Sequence, residues 1–90
     1  MVESKVQKKI TDHLEGHGWL VIKIITANKP GWPDLVCIGP NGTILIEVKT
    51  ERGKLSPLQV HRLEEISQVG GTAFVVYGWE DYLIKIQPYL

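Results

Sequence analysis

The stretch DLVCIGPNGTILIEVK, residues 34 to 49, decides the fold. Two runs rich in β-branched residues flank Pro40-Asn41-Gly42, and an Asn-Gly pair between such runs predicts a tight antiparallel hairpin. Side chains alternate faces along a strand, so Ile44, Ile46 and Val48 point one way while Leu45, Glu47 and Lys49 point the other. An acid and an amine therefore share one face of a strand that otherwise reads as buried. Removing either charge from water is costly, so each needs a partner, a metal or solvent at the strand end. Asp34 opens the preceding strand directly after the stiff PGWP loop and can sit across from Glu47 or Lys49. Two carboxylates brought close repel unless a cation lies between them, and an oxygen-only pair suits Mg²⁺ or Mn²⁺. An ion pair alone accounts for Glu47 and Lys49, and a strand-end position after proline accounts for Asp34. The three together are much harder to explain in that way.

Working outward, Val2, Val6, Ile10 and Leu14 recur at every fourth position among lysines, which predicts an amphipathic helix from residue 3 to about 15, ended near Gly16 and Gly18. WLVIKIIT (19–26) reads as a largely buried strand, and ANKPGWP (27–33) as a loop. Downstream, Ser56 is the expected N-cap, Pro57 the first helical residue and Gln59 the third residue of a capping box, with the helix running to about Val69. Gly70-Gly71 stops it. TAFVVYG (72–78) reads as a fourth strand, and WEDYLIKIQPYL as a possible helical turn followed by a short terminal strand. The expected order is αβββαβ, an α/β domain. A right-handed crossover between strands 3 and 4 makes its central sheet mixed, with helices flanking it.

The chain of 90 residues is 43% hydrophobic and 22% charged, which predicts one globular domain spanning 1–90 and excludes a disordered or fibrous chain. No apolar run approaches the ~20 residues that cross a bilayer, and the N-terminus lacks the apolar core of a signal peptide, so an intracellular protein is expected. The lone Cys37, inside an apolar run, is expected to be buried and inert. Net charge is zero. Lys5, Lys8 and Lys9 in the first helix and Lys49, Arg52, Lys54 and Arg62 further on nevertheless leave two local basic patches, each also readable as solvated surface. His13 and His17 do not follow the H-E-x-x-H order of a zinc protease, and His61 is expected at the surface. No Gly-rich phosphate loop, zinc finger or nucleophile elbow is present.

Pro33-Asp34 and Glu47-Val48-Lys49, with twelve residues between the two acids, resemble the PD-(D/E)XK signature of metal-dependent nucleases. The wider set of ES at residues 3–4, GWPD at 31–34, IEVK at 46–49 and GKLSPLQ at 53–59 is similar to the virus-type replication-repair nuclease domain, VRR-NUC, over essentially the whole chain. The resemblance implies a restriction-endonuclease-like core in which Asp34 and Glu47 bind Mg²⁺ or Mn²⁺, with the Val48 carbonyl as a further ligand. It implies that Lys49 orients the attacking water or stabilises phosphate charge, and that Glu3 completes the metal shell directly or through water. Gln59 matches the family's glutamine near the lysine, so catalysis and capping are both open to it.

Phosphodiester hydrolysis is the activity implied, with Lys5, Lys8, Lys9, Arg52, Lys54 and Arg62 on flanking phosphates and Trp32 stacking on or wedging a base, unless Trp32 simply anchors its loop. Stand-alone viral and bacterial members resemble Holliday junction resolvases, which implies a cytoplasmic homodimer acting on four-way DNA junctions. An exposed sheet edge and the apolar tail YLIKIQPYL offer surfaces for self-association. A general or flap-directed DNA nuclease, or a non-cutting module that binds DNA or a protein partner, are the alternatives.

Overall fold

The computed structural model describes all residues 1–90. Helix α1 (Glu3–Gly16) leads into strand β1 (Leu20–Lys23), then β2 (Leu35–Gly39) and β3 (Gly42–Lys49). Helix α2 (Pro57–Gln68), strand β4 (Ala73–Tyr77), helix α3 (Gly78–Lys85) and a 3₁₀ turn (Gln87–Tyr89) complete the chain. The sheet runs β1-β2-β3-β4, with β1, β2 and β3 antiparallel in sequence and β4 parallel to β3. The parallel pair follows from α2, which carries the chain back to the starting edge of β3 before β4 begins.

The β2–β3 register pairs Gly39 with Gly42 and Leu35 with Ile46. The two residues between the strands are thus Pro40 and Asn41, one position earlier than the Asn-Gly pair suggests. Gly42 takes the positive φ (137°) that the return to β3 requires. One more step along the same register sets Asp34 opposite Glu47.

One face of the sheet packs on α1 and α3. Val6, Ile10 and Leu14 of α1, Leu35 and Cys37 of β2, Ile44, Ile46 and Val48 of β3, Val76 of β4 and Tyr82 and Ile86 of α3 form a single buried cluster with Trp19. Burial pushes the Cys37 thiol up to about 12, which leaves it unreactive near neutral pH. Gly39 lies so close beneath Trp19 that an added Cβ would stand 2.6 Å from the indole, so this tryptophan seals the hairpin end of the core. The opposite face carries α2, whose Ile66 is buried apart from the main cluster.

Two expectations are corrected. Strand β1 is not largely buried: Leu20 is 55% and Ile22 44% exposed, because β1 is an edge strand whose outer face no helix covers. The C-terminal segment forms no strand. Gly78 takes φ 88°, turns the chain out of β4, and starts α3. The spacing of Trp79, Tyr82, Leu83 and Ile86 is helical and brings these residues onto the core.

Candidate active site

The acids lie at the carboxyl end of β3, on the face opposite the main core. Glu47 is 2% exposed although it carries an ionisable group. Its Oε2 accepts a hydrogen bond from Gln59 Nε2 at 3.3 Å and lies 3.8 Å from the Lys49 ammonium. Burial first, then the adjoining Asp34 carboxylate, push the Glu47 carboxyl up to about 8, with Glu3 adding to the effect and Lys49 opposing it. Asp34 is half-buried and held at both ends: its Oδ2 accepts from the Val48 N–H at 2.8 Å, and its carbonyl accepts from the Ile24 N–H at 2.8 Å. Lys49 has a side chain only 15% exposed, so its charge is directed at the acids rather than at bulk water.

Gln59 closes the capping box and also reaches the acid pair. Its Oε1 accepts from the Ser56 N–H at 2.9 Å while its backbone N–H donates to the Ser56 hydroxyl at 3.1 Å, closing the capping box. The amide nitrogen of the same side chain then reaches Glu47. One residue caps α2 and fixes the orientation of a buried acid.

The structure brings together Asp34, Glu47, Val48, Lys49 and Gln59. Glu3 stands in the exposed first turn of α1 and reaches Glu47 through its field, with no direct bond. The donor set therefore holds two close carboxylates, and no group of three or more His, Cys, Asp or Glu side chains converges anywhere in the chain. Two carboxylates with solvent and phosphate oxygens filling the rest of the shell is a common arrangement for Mg²⁺. A buried carboxyl pushed up by desolvation and by its neighbouring acid, more than Lys49 offsets, suits a divalent cation.

The expected phosphate contacts separate. Lys5, Arg52 and Lys54 are exposed and make no ion pair. Lys8 pairs with Asp12 on the surface of α1, and Lys9 lies over the Trp79 ring at 4.5 Å. Arg62 is not free: its Nε donates to the Pro30 carbonyl at 2.8 Å and its Nη1 to Glu65 at 3.1 Å, which ties α2 to the PGWP loop. Trp32 is half-buried in that loop. His61 is exposed, and His13 is turned inward, its Nδ1 2.7 Å from the Tyr82 hydroxyl.

Sequence reasoning missed the cluster beside Lys49 on β4. Tyr77 pairs in register with Lys49, and its N–H donates to Asp81 Oδ2 at 2.8 Å. Asp81 is also bound by Lys85, and these bonds hold its carboxyl below the ordinary range although burial works against them. An Asp three residues after the strand-ending glycine was the available signal.

A mixed sheet with paired acids at the end of its central hairpin defines a nuclease core of the PD-(D/E)XK type. The chain belongs to the VRR-NUC family, a family of nuclease domains, whose model matches residues 2–80. A solved structure described as a VRR_NUC domain is 33% identical and superposes with a TM-score of 0.87 over 98% of this chain and 97% of that one. A second, a VRR_NUC domain protein, is 22% identical, with a TM-score of 0.80 over 100% and 88% of the two chains. The same fold recurs in Archaeoglobus fulgidus Hjc, a Holliday junction resolvase from an archaeal hyperthermophile, at 23% identity and a TM-score of 0.64 over 83% of this chain and 67% of that one. No curated protein matches the sequence. No helix is long and apolar enough to cross a membrane.

Proposed function

We propose that this chain, as a single domain, is a divalent-metal-dependent endodeoxyribonuclease that acts as a homodimer on four-way DNA junctions. The observation that carries the reading is the buried Glu47 beside Asp34, with Lys49 and Gln59 on its remaining sides. A site built only for stability would gain from replacing such a cluster with apolar side chains. Asp34 and Glu47 would hold Mg²⁺ or Mn²⁺, with the Val48 carbonyl and a water on Glu3 as further donors. When bound, the cation supplies Lewis acidity at the scissile phosphate and lowers the pKa of a coordinated water.

The protein's own residues do the rest. The Val48 N–H keeps the Asp34 carboxylate in place, and the Gln59 amide does so for Glu47. Lys49 directs its ammonium to the place where negative charge builds on the phosphate, the electrostatic contribution that is commonly largest in such reactions. Lys5, Arg52 and Lys54, with Lys8 and Lys9 from their present partners, contact flanking phosphates and supply affinity without sequence preference. Arg62 acts at one remove, by holding the loop that carries Trp32.

Junction specificity and dimerisation draw support from the fold shared with an archaeal Holliday junction resolvase, and from uncovered apolar side chains on β1 and at Ile84. The test is cleavage of a labelled four-way junction beside duplex, flap and single-stranded DNA, with Mg²⁺ or Mn²⁺, for wild type and Lys49→Ala. Paired symmetric nicks confined to the junction and absent in the variant are expected. Lys49-dependent cutting of every substrate would leave a general nuclease. The absence of Lys49-dependent cutting with either metal would replace catalysis by a DNA-binding role.

A further inference from the structure

We infer that the loop between β1 and β2, residues 24–33, is a strand-separating element: Ile25 wedges against the base next to the scissile phosphate while Lys29 holds the phosphate beyond it. The inference rests on the nuclease reading and deepens it.

Ile25 is 82% exposed, among the most exposed large apolar side chains of the chain. Exposure on a loop tethered at one point would mean little, but this loop is anchored on both sides of Ile25. The Ile24 N–H donates to the carbonyl of Asp34 at 2.8 Å, so the residue before the wedge is bonded to the backbone of a site acid. Further on, the Pro30 carbonyl accepts from Arg62, and Gly31, at φ 80°, approaches Leu58 so closely that a Cβ there would stand 3.0 Å from its side chain. Both contacts clamp the loop onto α2, which also supplies Gln59 to the site.

Within this frame lies an open groove of about 440 Å³, lined by Ile24, Ile25, Lys29, Trp32 and Asp34 among others. Asp34 of the acid pair lines it, so a nucleic-acid strand whose phosphate lies at Asp34 and Glu47 would pass along it. Lys29 is exposed and forms no ion pair, and it gives the groove a positive charge. An apolar side chain presented between two anchored loop ends, in a groove shared with a cation and an aromatic ring, fits a wedge that partly unstacks a base step. The occupant is DNA at a paired-to-unpaired boundary, whose phosphates complement Lys29 directly and the acid pair through the divalent cation of the proposed function.

The test uses the full chain with a four-way junction and a linear duplex, each carrying 2-aminopurine beside the cleavage position, in Ca²⁺ buffer to follow binding. Wild type should raise the 2-aminopurine fluorescence, Ile25→Ser should lose that rise, and Ile25→Leu should keep it. Lys29→Ala should weaken binding and flatten its salt dependence while preserving the rise at saturation. In Mg²⁺ or Mn²⁺, Ile25→Ser should cut paired substrate about tenfold more slowly and recover when a mismatch already opens the base pair. Fluorescence and cutting unaffected by Ile25→Ser would overturn the inference, as would a bound wild type that leaves the fluorescence flat. Lys49-dependent cutting indifferent to Ile25 sinks the wedge alone, whereas an Ile25-dependent rise without cutting upholds the wedge and sinks the nuclease reading.

Discussion

The two faces of β3 carry the same kind of backbone under opposite constraints. Toward α1 and α3, Ile44, Ile46 and Val48 are buried in the main core, and nothing polar interrupts them. Toward α2, Leu45, Glu47 and Lys49 follow one another, and the last two are ionisable groups kept from water. The first face supplies stability and tolerates no gap; the second gives some of that stability up to hold an acid where water does not reach it. One strand thus separates the packed core from the acid-bearing face by the alternation of its side chains.

The separation can be broken most sharply at Lys49. Lys49→Ala should lower cleavage on the order of a thousandfold, the scale of losing a preorganised charge at the transition state, while thermal unfolding barely moves. Comparable losses of stability and activity in that variant would mean that the charged face is structural after all. Next in size, Ile46→Ala on the opposite face leaves a cavity among the side chains of α1, β2 and α3 and should destabilise the fold by about 2–5 kcal/mol, read from urea unfolding. Its remaining folded fraction should cut DNA at the wild-type rate.

A third difference is visible in pH. The folded protein raises the Glu47 carboxyl to about 8 from an ordinary 4.5, so the unfolded chain releases this proton first. In chelator-treated buffer, Glu47's contribution to stability should therefore decline from pH 4.5 upward and level off above pH 8. Glu47→Gln should flatten the curve, and Mn²⁺ should restore stability to wild type but not to this variant. A pH profile identical in wild type and variant would show that the acid is not strained. The smallest effect separates the two duties of one side chain. Gln59→Ala should lose about 1 kcal/mol of stability with its cap and also slow cleavage, whereas Gln59→Glu should keep the cap and still slow cleavage by placing a third carboxylate at the pair.

Much of this was legible because β-strand alternation is rigid. Once the hairpin was recognised, Glu47 and Lys49 had to share a face, and Asp34 had to arrive at their level, whatever the turn did by one residue. The capping box at Ser56 and Gln59 was equally readable, since it depends on local spacing alone. What could not be read depends on neighbours. A β-branched run such as LVIK looks the same at an edge as in the middle of a sheet, so the exposure of Leu20 and Ile22 was hidden. The helix after Gly78 was concealed by a tail equally rich in residues that favour strands, although its three-and-four spacing was present. Arg62 gave no sign that it would be taken up by a carbonyl 32 residues earlier.

Gln59 also bears on how this domain is inherited. Under the proposed function, a chain that abandoned cleavage would be free to lose Lys49, whose ion pair is with Glu47, but would still be held to Gln59 by the helix it caps. In comparing descendants of such a domain, the glutamine is therefore a poor witness to activity and the lysine a good one. A relative that keeps the first and lacks the second is the form in which a retired nuclease would be met.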